Sequence, residues 1–140
     1  MGLGERLEAL GRELAEREAD SAEDLRAARA RAEELRADVA NGLSRFHAAI
    51  EGAGAGHLSV QISAVRVDDK HVRSCEFELS RGHHRAIVTV KSRGEVTLVG
   101  PFRVGKQEGP CLTFPLAGSD EFAPAFEDFL ASFLTGAAAP

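Results

Sequence analysis

The stretch HLSVQISAVRVDDKHVRSCEFELSRGHHRAIVTVKSRGEVTLVGPFRVGKQEGPCLTFPL, residues 57–116, decides the fold. Apolar and polar residues alternate along five short runs separated by turn residues, so it reads as an antiparallel meander of about five strands. Leu58, Val60, Ile62 and Ala64 share one face of the first run, and a change of phase at Val65 and Val67 predicts a bulge. Asp68-Asp69-Lys70 turns the chain. Cys75, Phe77 and Leu79 carry the second strand, with Glu76 and Glu78 on its other face. After the turn at Arg81-Gly82-His83, residues 86–90 are apolar on both faces, as are residues 96–99 beyond Ser92-Arg93-Gly94-Glu95. These two strands belong at the centre of the sheet, wanting cover on both sides. Gly100-Pro101 kinks the fourth strand before Phe102 and Val104. Leu112, Phe114 and Leu116 form the last strand, whose Pro110 and Pro115 suit an edge.

A meander with one apolar face needs a cover, and both flanks of this one are helical. Residues 3–51 contain no proline, are rich in Ala, Glu, Arg and Leu, and read as one long helix. Leu3, Leu7, Leu10 and Leu14 recur at helical spacing. Leu25, Ala28, Ala32, Leu35, Val39, Phe46 and Ile50 resume the stripe after an eleven-residue step, a stutter in any heptad. Asp20-Ser21-Ala22-Glu23 fits a capping box, so a bend or restart near Asp20 stays open, as does the weak point at Asn41-Gly42. Such a helix would run to about 70 Å, against strands of only ~20 Å. Its surplus apolar stripe needs a second partner, and a second copy is the simplest. The face expected to self-associate, coiled-coil fashion, is Leu3, Leu7, Leu10, Leu14, Leu25 and Leu35.

The chain therefore divides into a helical arm (1–51), a Gly/Ala linker (52–56) with Gly52 as the helix stop, and a sheet domain (57–140). Within the last, Ser119 or Asp120 caps a helix running to about Thr135, with Pro124 in its first turn. Phe122, Phe126, Phe129, Leu130, Phe133 and Leu134 make one apolar face, worth on the order of 10 kcal/mol gross if buried on the sheet. Its polar side carries Glu121, Glu127 and Asp128 and no cation, wrong for an anionic membrane surface. The expected fold class is α+β: long helix, antiparallel sheet, covering helix. This element order resembles small dimeric heads on stalks, such as kinetochore head domains; the likeness is architectural, carries no residue motif and transfers no function.

Chemistry is sparse. Gly100 to Lys106 matches the opening of a phosphate-binding loop, but Gln107 stands where Ser or Thr should hold magnesium, and Pro110 and a strand follow instead of a helix. The linker glycines fail the same test. His71, His83, His84, Cys75 and Cys111 lack ligand spacing, so no metal and no cofactor is expected. Cys75 lies in phase with the core, while Cys111 is out of phase with Leu112 and Phe114. Ser59, Ser63, Ser74, Ser80 and Thr89 lie on strands without a nucleophile elbow, and an enzyme using Cys111 or a histidine is the weakest reading.

The net charge of −5 divides unevenly: −4 over residues 1–52, +3 over 57–118 and −4 over 119–140. Arg73, Arg81, Arg85, Lys91, Arg93 and Arg103 make the middle block the expected surface for a partner. With no Trp or Tyr to stack on bases, that partner is a protein and not nucleic acid. Two cysteines, no apolar leader and no apolar run of membrane length point to the cytoplasm. The function that follows is a non-catalytic homodimeric interaction module: an adaptor, chaperone or regulatory subunit. The alternative is a carrier of a small apolar ligand held between the sheet and the C-terminal helix.

Overall fold

A computed structural model describes residues 2–68, 73–105 and 109–139. The expected turn at Asp69-Lys70, His71, and Lys106 with Gln107 lie outside the described residues. Helix α1 (Leu3–Gly52) leads through a 3-10 turn (Gly56–Leu58) into β1 (Gln61–Ile62), β2 (Arg66–Asp68), β3 (Ser74–Arg81), β4 (His84–Lys91), β5 (Glu95–Arg103) and β6 (Cys111–Pro115), and α2 (Phe122–Ala137) closes the order. All pairings are antiparallel, in the order β1-β3-β4-β5-β6, with β2 also paired to β3. This is the α+β architecture the periodicities imply. α1 neither restarts at Asp20 nor stops at Gly42: it is one helix over fifty residues.

The expected first strand is broken rather than bulged. β1 and β2 run along the same edge of β3 on either side of residues 63–65. Ser63, which opens the interruption, is held on three sides: its N–H donates to Glu78 O (2.8 Å), its Oγ accepts from Glu78 N (2.9 Å), and its carbonyl accepts from Arg36 Nε of α1 (2.7 Å). The phase change at Val65 is thus satisfied by a helix side chain reaching into the gap.

Register explains the core. Phe77 pairs with Val88 and Val88 with Leu98, while Cys75, Val90, Val96 and Phe114 form the adjacent row. Both rows face the same side, and two helices share that face. α1 lies over β3 and β4, burying Ala28, Ala32, Leu35, Val39 and Leu43; α2 lies over β4 and β5, burying Phe122, Phe126, Phe129 and Phe133. Ala28 and Ala32 are wholly buried, and their small side chains bring α1 close to the sheet. From Ala28 onward α1 therefore belongs to the same core as the sheet. The expected boundary at residue 51 falls inside that unit, and only the first part of the helix stands apart. α2 begins at Phe122 with Glu121 at its N-cap, not Ser119 or Asp120, and makes no side-chain cap bond.

Cover on both sides of β4 and β5 is not found: among the described residues no element crosses the outer face. Ile87 and Val99 sit opposite one another there, half-buried. The neighbouring strands carry the ion pairs Arg66–Glu76 (3.0 Å), Arg66–Glu78 (3.4 Å) and Arg85–Glu78 (3.0 Å), with Glu78 directly opposite Ile87. Thr97 is only 4% exposed on this face, its hydroxyl 3.2 Å from that of Thr113. A hydrophobic run on both faces of a strand thus meant a half-sheltered centre.

Gly100 and Pro101 bulge out opposite Ala86, where the β4–β5 register shifts. Gly100 has φ +111° and Gly109 lies against this turn; a Cβ on Gly109 would strike the Pro101 carbonyl oxygen. Neither backbone can move without breaking the Gly100 N–H to Pro110 O bond of 2.8 Å. Gly109→Ala is therefore expected to lose about 1–3 kcal/mol by overpacking, read as a lower midpoint in thermal unfolding. An unchanged midpoint would show that the loop has room.

Candidate functional site

Two features stand out, an overhanging helix and a trough. Residues 3–20 of α1 are exposed throughout, and Leu3, Leu7, Leu10 and Leu14 are 75%, 55%, 46% and 49% exposed. The overhang ends where Glu18 accepts a 2.7 Å bond from Arg73 beside the sheet. Its polar sides are laced by Arg12–Glu8 (2.6 Å) and Arg17–Glu13 (2.7 Å), ordinary solvent-facing helix pairs. Leu25 and Leu35, expected in the same self-association face, are not on the overhang. Leu35 is 2% exposed inside this chain's own core and Leu25 packs against it. The sheet reaches both, and the available stripe contracts to the first four leucines.

The trough runs between α1 and α2 with Leu79 of β3 in its floor. It consists of two adjoining hollows of about 280 Å³ and 470 Å³ that share Asp38, Gly42, Glu127 and Leu130. Both helices pack on the sheet more than on each other, which leaves this gap open. Arg31 lines one end, its guanidinium 5.6 Å from the centre of the Phe122 ring, and its buried Nε has no hydrogen-bond partner among the described residues. Leu130 and Leu134 were legible as apolar α2 positions. Asp38 and Gly42 were not legible as lining, because only the helix–helix gap makes them so.

The six cations expected to form one surface do not. Arg73, Lys91 and Arg93 stand at one end of the sheet and Arg81, Arg85 and Arg103 at the other, roughly 20 Å away at about 3.3 Å per residue. Most are also occupied. Arg73 holds Glu18, Arg85 holds Glu78, and Lys91 and Arg93 share Glu95. Arg81 donates to the carbonyls of His57 and Ala137, so it fastens the C-terminal end of α2, where a cation also suits the helix dipole. Sequence offers charges; only register shows which are spent inside the fold. Next to Arg81 and Arg103, His84 is held below the usual histidine range, by desolvation first and then by those cations and His83.

Among the described residues no three His, Cys, Asp or Glu side chains gather as a metal would require. No family model, curated protein or solved structure matches this chain. Among the described residues no helix is long and apolar enough to cross a membrane.

The two cysteines are unpaired and differ sharply: Cys75 is buried and Cys111 exposed. Burial pushes the Cys75 thiol up, with Arg29 opposing and Glu33 assisting. Native protein is therefore expected to take one equivalent of iodoacetamide, at Cys111, and the second only on unfolding; rapid double labelling would contradict the packing of β3. Because the folded state keeps the Cys75 proton longer than the unfolded chain does, its contribution is intact below the ordinary thiol range. It is lost as pH climbs through that range toward the folded value.

Proposed function

We propose that this chain is a non-catalytic protein-interaction module, an adaptor, chaperone or regulatory subunit, that pairs with a second copy through the overhang of α1. The observation that carries this reading is the stripe of four leucines standing in solvent beyond the sheet. Isolated exposed leucines are ordinary, but a helical row of them is the mark of an interface. Two free cysteines suit a reducing compartment such as the cytoplasm. The trough and the outer sheet face then remain for the protein partner, presented twice by the dimer. Sedimentation equilibrium of the full chain tests the reading: twice the chain mass of 14.9 kDa is expected, and a monomer at high micromolar concentration overturns it.

The trough supports a second reading, carriage of a small apolar molecule. Its volume falls in the range of ligand sites, and Leu79, Leu130 and Leu134 give it an apolar lining. Native mass spectrometry of gently purified protein would show the added mass of a lipid or acid; bare chain mass removes this reading.

A further inference from the structure

We infer that the two overhangs lie antiparallel, each chain's Leu3 level with the partner's Leu14 and each Leu7 level with the partner's Leu10. The inference rests on the self-association proposed above and specifies its geometry.

The direction in which the overhang's leucines point settles the choice. Leu25, Ala28 and Ala32 stand eighteen residues after Leu7, Leu10 and Leu14, about five whole turns at 3.6 residues each. α1 is unbroken across that distance, and Ala28 and Ala32 are buried on the sheet. The overhang's leucines therefore look toward the side of α1 on which the sheet lies, into the space just past the sheet's end. Any helix covering them occupies that space.

A parallel partner would have to continue past Glu18 along the same side, where β3 and β4 already pack against α1. It would also have its own sheet on the side facing this chain. An antiparallel partner meets neither obstacle. With the partner's Leu3 at Leu14, its N-terminus stops short of Glu18, and its continuation runs away beyond Leu3. The overlap uses all four leucines and ends where the sheet begins. The pair is isologous, the usual form for a dimer.

Charge and size agree. With Leu7 and Leu14 at one seam position and Leu3 and Leu10 at the other, Arg6 and Glu13 flank one side, and Gly4 and Gly11 the other. Antiparallel pairing brings like flanks together, so Arg6 meets the partner's Glu13 twice and glycine flank meets glycine flank. Parallel pairing would set Glu13 against the partner's Glu18 and Arg6 against the partner's Gly11. Two glycines inside a helix cost about 1 kcal/mol each against alanine, and a Cβ at either would meet nothing within 4 Å among the described residues. Close approach of two helices along that flank gives them a use.

The test is made on the full chain with Cys111→Ser, so that the exposed native thiol takes no part. Chains carrying Leu3→Cys are mixed with chains carrying Leu14→Cys and oxidised. A mixed disulfide, with none from Leu3→Cys alone, is expected, because the two Leu3 positions would lie some 16 Å apart along the axis. Efficient disulfide formation by Leu3→Cys alone overturns the antiparallel arrangement and leaves the dimer standing. A dimer that forms neither disulfide overturns this register. A monomer in sedimentation overturns the underlying self-association as well. A second measurement is independent of cysteine placement. Glu13→Arg is expected to raise the dimer dissociation constant roughly threefold to tenfold, and Arg6→Glu added to it to restore the original value. Tighter association by Glu13→Arg alone is the parallel outcome and sinks the inference.

Discussion

Phe77→Ala is expected to destabilise the protein by about 3–5 kcal/mol and to lower the melting temperature by roughly 10 °C. Phe77 is wholly buried at the middle of β3, in the row that continues through Val88 and Leu98. Its ring lies between that row and the face over which α1 packs. The surroundings cannot readily collapse into the space it would leave, since the strands on one side are locked in register and α1 is anchored over β3 and β4 by the wholly buried Ala28 and Ala32. Leu112→Ala is the matching control: Leu112 faces the same side but lies on edge strand β6 and is 51% exposed. It is expected to change stability by no more than about 0.5 kcal/mol. Equal losses in the two variants, measured by denaturant unfolding, would mean that the core does not lie between β3 and α1.

On the pairing proposed above, Leu7→Glu with Leu10→Glu is expected to abolish self-association while leaving the fold intact. Two leucines from each chain leave the seam, and at about 1.5–3 kcal/mol for each buried side chain the dissociation constant rises more than a thousandfold. Glutamate matches leucine closely in helix preference, and both positions are about half exposed in the single chain. Helix content by circular dichroism and the unfolding midpoint of the monomer are therefore expected to stay where they were. A variant that sediments like the unaltered protein places the interface elsewhere. One that unfolds would instead show these leucines to be part of the chain's own core.

The elements were legible because their periods are strong. Period two in Cys75, Phe77 and Leu79 and the four-three-four spacing of the α2 phenylalanines each survive in the structure as one buried face. Proline also spoke clearly, placing β6 at an edge and the β5 bulge at Gly100-Pro101. What failed depended on neighbours. The run from residue 86 to 90 reads as buried on both faces, but Ile87 is only half-buried, opposite Glu78 with its Arg85 ion pair, and no third layer lies there among the described residues. Leu35 and Leu7 look alike in a helical stripe, and only the length of the sheet decides that one is core and the other is not. The cations misled for the same reason. Nothing local to Arg81 tells that its guanidinium closes the end of a helix fifty-six residues away. The trough arises from the spacing of two helices on a sheet, a quantity no single segment carries.

The unbroken course of α1 has one more consequence. A fifteen-residue peptide with two glycines would hardly be helical in water, because starting a helix is the unfavourable step and so short a segment gains too little from extending it. Here that first step is taken by the portion clamped to the sheet from Ala28 to Leu43, and residues ahead of Glu18 only lengthen a helix already begun. A second copy docking on the overhang, as proposed above, would meet it already ordered, and association would forfeit less backbone freedom than the folding of two loose tails.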